Sequence, residues 1–143
     1  MDDVKHSNAD NVGQIDVASI KHCLQDGDAK LALQYCHEFL ADDPQNIQTL
    51  LFAALASRSL GCLDDALNFI NRAQALAPNQ PAIHSLKGDI SLLQQQPEQA
   101  LGALLQAREL GDGSSQNSFN IGSAYLVLAR YEDAKIYFDQ ALA

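Results

Sequence analysis

The sequence predicts an all-α protein built on a repeat of 34 residues, and three observations carry that reading. Ala32, Ala66, Ala100 and Ala134 recur at a spacing of 34. Pro44 and Pro78, Gly27 and Gly61, and Gly88 and Gly122 keep the same spacing independently. Ala, Leu and Gln are abundant, while aromatic residues make up 6% with no Trp, a composition that favours helix over sheet. One register aligns alanines, prolines and glycines together. It sets four copies beginning near Gly13, Ile47, Pro81 and Ser115, with no insertion between them.

The residues at fixed places in each copy then become informative. The fourth copy has Ile121-Gly122, Tyr125, Ala134 and Phe138; the second has Leu50, Ala53-Ala54, Ala66, Ile70 and Pro78. The third keeps Gly88, Ala100 and Leu104, with Asp112 where Pro is expected. The first is the most degenerate, with Asp16, Ser19-Ile20, Cys23, Ala32, Cys36 and Pro44. This pattern resembles the tetratricopeptide repeat (TPR) family, whose 34-residue unit is a helix–turn–helix. The resemblance covers about nine-tenths of the chain. It implies four tandem TPR repeats (13–46, 47–80, 81–114 and 115–143, the last lacking its end) in one domain. It also implies a right-handed superhelical solenoid of antiparallel helix pairs, with the first helices lining a concave face.

Each element has a local reason. In the first two copies Gly27 and Gly61 suit the turn between helices, and Pro44 and Pro78 stop the second helix. In the third copy Gly88 stands where the helices cross closely, as Ala54 and Gly122 do in their copies, with Ala66, Ala100 and Ala134 opposite. Larger groups there would cost about 1–3 kcal/mol by overpacking. Pro97 suits the first turn of a helix, where its missing N–H costs nothing. The run GDGSS at 111–115 replaces the absent proline, with Ser114 or Ser115 as N-cap. Residues 1–12 show no apolar period and are expected to form a disordered tail.

Composition narrows the function. Nine Lys and Arg against eighteen Asp and Glu give a net charge of −9, which repels a phosphate backbone and argues against nucleic acid. No apolar run approaches the roughly 18–20 residues of a membrane span, and the polar, acidic N-terminus is not a secretory signal. Three cysteines match no disulfide framework, which points to a reducing, cytoplasmic location. No phosphate loop, nucleophile elbow or His–carboxylate motif is present, so no enzyme activity and no cofactor are expected. His22-Cys23 and Cys36-His37 flank the first turn. Adjacent helical residues point about 100° apart, so the four do not converge, and no metal site is expected. His84 is expected to pack in the core.

The expected role is a protein-interaction module whose concave groove binds an apolar or amphipathic segment of a partner. The helix 47–60 is apolar almost all round, more than packing within the repeat needs. By the family register, the resemblance implies a groove of Val17, Lys21, Leu51, Phe52, Leu55, Arg58, Leu86, Asp89, Phe119 and Asn120. It does not imply a clamp for chaperone tails. The five clamp places hold Val17, Lys21, Phe52, Ala82 and Leu86, or Leu51, Leu55, Leu86, Gln116 and Asn120, with almost no cation for a terminal carboxylate. The alternative is an N-terminal helper domain of a longer enzyme resembling a sulfotransferase, oxygenase or glycosyltransferase. The last helix carries Tyr131, Ile136, Tyr137, Phe138 and Leu142 with nothing after it. Continuation past Ala143 or self-association through this end is therefore expected.

Overall fold

A computed structural model of the chain describes residues 15–143. The expected tail at 1–12 lies outside the described residues. Within them are eight α-helices and no strand. They are α1 (Val17–Gln25), α2 (Ala29–Asp42), α3 (Ile47–Ser59), α4 (Leu63–Leu76), α5 (Pro81–Leu93), α6 (Pro97–Glu109), α7 (Ser115–Val127) and α8 (Tyr131–Leu142). Two compact units are formed, one ending at Phe69 and the other spanning Ile70–Ala143, so the boundary falls inside α4.

Helix starts follow from side-chain caps that satisfy otherwise orphaned backbone N–H groups. Asp16 Oδ1 accepts from Ser19 N at 2.8 Å, and Asp28 Oδ1 from Leu31 N at 3.2 Å. Asn46 Oδ1 accepts from Thr49 N at 2.9 Å, and Ser114 Oγ from Asn117 N at 3.1 Å. Helices α5 and α6 instead begin with Pro81 and Pro97. Each helix pair turns in one way. A residue with positive φ follows the first helix, and the N–H beyond it bonds a carbonyl five residues back, closing the helix end. Those bonds are Asp28 to Cys23, Cys62 to Ser57, Gln96 to Ser91 and Arg130 to Tyr125, each 2.9 Å. The positive φ belongs to Gly27 (81°), Gly61 (77°), Gln95 (60°) and Ala129 (59°), again 34 residues apart.

In the first unit, α2 packs against α1 and α3, and α1 also meets α3. Its buried apolar residues include Ile20, Ala32, Cys36, Leu40, Leu50 and Ala53. Eight of the thirteen residues of α3 are buried, which accounts for a helix with little amphipathic character.

In the second unit, α6 lies against α5 and α7, α7 against α8, and α5 touches α7. Ala100, Leu104, Ile121, Tyr125 and Ala134 form the core, with Leu92, Leu101, Leu105, Tyr137 and Phe138 packed on it. The close crossings are at the two glycines, but the groups they meet differ from the expected alanine side chains. A β-carbon on Gly88 would lie 2.6 Å from Leu104 Cδ2 and 3.2 Å from the Ala100 carbonyl oxygen. One on Gly122 would lie 2.8 Å from two ring atoms of Phe138. The glycine makes room for the large residue one turn beyond the alanine.

Asp112, standing in for proline, closes the third copy by hydrogen bonds. Its carboxylate accepts from Ser114 N at 3.0 Å and from Ser85 Oγ, and its carbonyl accepts from Asn117 Nδ2 at 3.0 Å. Burial alone would raise the Asp112 carboxyl, but hydrogen bonds from Ser114 and Ser85 outweigh it and leave the group below its usual range. The loop is thus tied to both α5 and α7.

Candidate functional site

The residues expected to line a groove belong to both units, and each unit presents its own set. In the first, α1 supplies Val17, half-buried, and Lys21, exposed. Helix α3 supplies Leu55 and Arg58, half-buried, together with Leu51 and Phe52, which are only 7% and 8% exposed. The apolar character of α3 at Leu51 and Phe52 therefore serves packing, and these two side chains offer little surface to a partner.

The second unit is more open. Leu86 and Asp89 on α5 are half-buried, and Phe119 on α7 is 52% exposed. The Phe119 ring lies 5.6 Å from the Phe138 ring at a tilt of 52°, which holds an exposed aromatic in a defined place. One turn away, Gln116 Nε2 donates to Asn120 Oδ1 at 3.0 Å, and Asn120 is only 8% exposed, so it offers a partner as little surface as Leu51 and Phe52 do. Ser123 Oγ is spent on the Phe119 carbonyl at 2.9 Å. Phe119 and Leu86, with the Asp89 carboxylate as an acceptor, can hold an apolar side chain and a main-chain N–H of a bound segment. They carry no constellation for bond-making chemistry.

The histidine–cysteine pairs do not form a centre. Cys23 and Cys36 are buried, and burial, then the neighbouring Cys23, pushes the Cys36 thiol up to about 12. Burial first, then Asp28 and Asp26, raise Cys23 as well. Both are protonated thiols at neutral pH and behave as small apolar groups. His22 Nε2 lies 3.2 Å from Asp26 Oδ2, an exposed i,i+4 pair, and the His37 ring lies 6.0 Å from the Phe69 ring. Among the described residues no group of three or more His, Cys, Asp or Glu side chains is placed to hold a metal ion. His84 is buried, and its Nε2 donates to the Pro78 carbonyl at 2.6 Å, a link from α5 to the preceding turn.

Two clefts were not foreseen. One, of about 1070 Å³, lies between α1 and α2 and is lined by Asp16, Ser19, His22, Asp26, Asp28 and Glu38 among others. Its carboxylates are partly spent, because Asp16 and Asp28 cap helices and Asp26 pairs with His22. The other, of about 580 Å³, is lined by Gln74, His84, Lys87, Gln99 and Gln106 with Gly102 and Ala103. There Lys87 Nζ donates to Gln74 Oε1 at 2.9 Å. Helix caps and glutamines give no sequence signal for a cleft, since the same residue types occur on any solvated helix.

Among the described residues, no helix is long and apolar enough to cross a membrane. Residues 24–90 match the sequence model of the tetratricopeptide repeat. A search of curated protein sequences finds no match. Among solved structures, MamA from Desulfovibrio magneticus RS-1 is similar at a TM-score of 0.77 and 22% identity, over 86% of this chain and 70% of that one. TTC0263, described as a thermophilic TPR protein of Thermus thermophilus, gives 0.77 and 21% over 88% and 70%. An O-GlcNAc transferase of Thermobaculum terrenum (mutant K341M) gives 0.73 and 22% over 76% of this chain but 21% of that one. At such identities the likeness is one of fold. Residues 24–90 thus match the tetratricopeptide-repeat model, and the described helices share the all-α fold of these solved structures.

Proposed function

We propose that the chain is a non-catalytic protein-interaction module that binds an apolar or amphipathic segment of a partner on its first helices. The observation that carries this reading is Phe119, an aromatic 52% exposed yet braced by Phe138. Leu86 and Asp89 on α5 extend that surface. Val17, Lys21, Leu55 and Arg58 are the accessible counterparts on the first unit, where Leu51 and Phe52 contribute through packing. A buried aromatic anchor surrounded by polar contacts is the usual energetic core of such binding. The buried, protonated thiols fit a reducing, cytoplasmic location.

Phe119→Glu and Leu86→Glu should each leave helicity intact and stability within about 1 kcal/mol, yet remove cross-linking of a partner through a photoreactive residue at the exposed position 116. Undiminished cross-linking by both variants would overturn the assignment. A second reading is a helper domain within a longer enzyme, and the likeness to part of an O-GlcNAc transferase supports it. The length of the natural reading frame separates the two. Self-association through the last helix pair would engage α7, the helix that carries Phe119.

A further inference from the structure

Two successive grooves in the second unit occupy equivalent places in the repeat and are filled differently. The later one, on α6, α7 and α8, is closed by a cation and a ring. The Arg108 guanidinium lies 5.2 Å from the centre of the Tyr137 ring, and it donates to Ser118 Oγ at 3.2 Å and to Gln140 Oε1 at 2.7 Å. The Tyr137 ring lies in turn 5.7 Å from the Tyr125 ring.

Thirty-four residues earlier the same places hold Gln74 for Arg108, His84 for Ser118, Ala103 for Tyr137 and Gln106 for Gln140. Ile136 has become Gly102, and Lys87 stands for Ile121. These residues line the cleft of about 580 Å³. Lys87 Nζ donates to Gln74 Oε1 at 2.9 Å, so a cation reaches from α5 the residue that stands for Arg108. Among the described residues no carboxylate pairs with Lys87, although acids outnumber bases eighteen to nine in the chain. The cation is kept and the ring is missing.

Two further observations set the cleft apart from loose packing. Gly102 sits inside α6, where glycine weakens a helix relative to alanine. It has no positive φ, and a β-carbon there would meet nothing within 4 Å, so the fold itself does not require glycine. His84, 7% exposed, spends its Nε2–H on the Pro78 carbonyl. Its Nδ1 has no partner among the described residues and, in the neutral ring, accepts a hydrogen bond.

We infer that this cleft takes an aromatic side chain of a partner protein, seated on Gly102 and Ala103 beside the Lys87 ammonium as Tyr137 is seated beside Arg108. The rim favours a peptide over a free ring. Gln74, Gln99 and Gln106 carry amides that both donate and accept, as the main chain flanking such a side chain does. Residues of α4 and α6 bound the cleft on either side, so it is not an end of the solenoid that a further repeat would cover. Residues 1–14 contain no Phe, Tyr or Trp and cannot supply the ring. The cleft shares no residue with the surface around Phe119, and the two readings fail separately.

The test titrates N-acetyl-tyrosinamide into the whole chain and follows the side-chain amides of Gln99 and Gln106 by NMR. Both should shift together, with a Kd on the order of 1 mM. N-acetyl-leucinamide and p-cresol should each bind at least about fivefold more weakly, the first for want of a ring and the second for want of amides. Ala103→Tyr should fill the cleft, abolish the shifts and raise the melting temperature. Lys87→Met should weaken binding about tenfold with the melting temperature kept. Shifts that are absent at about 20 mM ligand, or that survive Ala103→Tyr, would overturn the inference. So would p-cresol binding as tightly as the amide, which would make the ligand a free aromatic molecule. Dimers in sedimentation that Ala103→Tyr dissociates would overturn it too, by making the ring that of a second copy.

Discussion

The first and last helix pairs reach the same backbone with opposite side chains. In α7 and α8, Gly122 on the first helix makes room for Phe138 on the second. The equivalent places in α1 and α2, 102 residues earlier, are Ile20 and Cys36, both fully buried. Large and small have changed sides. Tyr125 has likewise become Cys23, and Ala129 at the turn is Gly27. Cores tolerate such exchanges when total volume is kept, so what the repeat fixes is the sum across a crossing and not the identity at either place.

The comparison is broken or sharpened most strongly by swapping the crossing. Gly122→Ile alone should destabilise by about 2–3 kcal/mol through overpacking, and Phe138→Cys alone by a similar amount through a cavity. Together they reproduce the first pair's arrangement and should lose clearly less than the sum. Chemical denaturation of the four proteins gives the coupling directly. Strict additivity would show that the two pairs are not interchangeable solutions.

That exchange also explains what the sequence could and could not reveal. The fourth copy was legible because Gly122, Tyr125, Ala134 and Phe138 all keep the family's residue types. The first copy was recognisable through Gly27 and Pro44, which serve backbone geometry, and through the small Ala32, and not through its larger core residues. Sequence register places Leu51 and Phe52 on a first helix, but burial depends on neighbours brought from elsewhere in the chain, and the structure buries both. The expected glycine–alanine contact missed the residue one turn on, since the length of Leu104 or Phe138 decides where it lands. Ser114 as a cap and Pro97 at a helix start were readable because both act through local backbone chemistry alone. The sequence could not show Asp112 holding Ser85, a bond across 27 positions of chain.

The thiols allow a pH test of the first pair. Burial raises the Cys36 thiol to about 12, above its value in an unfolded chain. Between the two values the unfolded chain sheds a proton that the folded one keeps, so stability falls as pH rises. The stabilising contribution is complete below the unfolded value near 9 and is lost through about 12. Cys36→Val should flatten the decline of melting temperature over that window, while Cys62→Ser, at an exposed thiol, should not. An unchanged slope in Cys36→Val would place the titration elsewhere.

The smallest effect concerns the turns, and it separates the two pairs by backbone alone. Gly27 holds a φ of 81° without steric cost, whereas Ala129 holds 59° with a β-carbon facing the carbonyl. Both turns make the same closing bond, Asp28 to Cys23 and Arg130 to Tyr125, each 2.9 Å. Lost hydrogen bonding therefore cannot mask the difference. A β-carbon at position 27 would meet nothing within 4 Å, so Gly27→Ala isolates conformational strain from crowding. Gly27→Ala should lower stability by about 1 kcal/mol. Ala129→Gly should raise it by somewhat less, because relief of strain is partly offset by the greater freedom of glycine in the unfolded chain. Gln95→Gly should behave as Ala129→Gly does, its φ being 60°. Thermal melts in which Ala129→Gly and Gln95→Gly both destabilise would mean that these side chains contribute contacts worth more than the strain they impose.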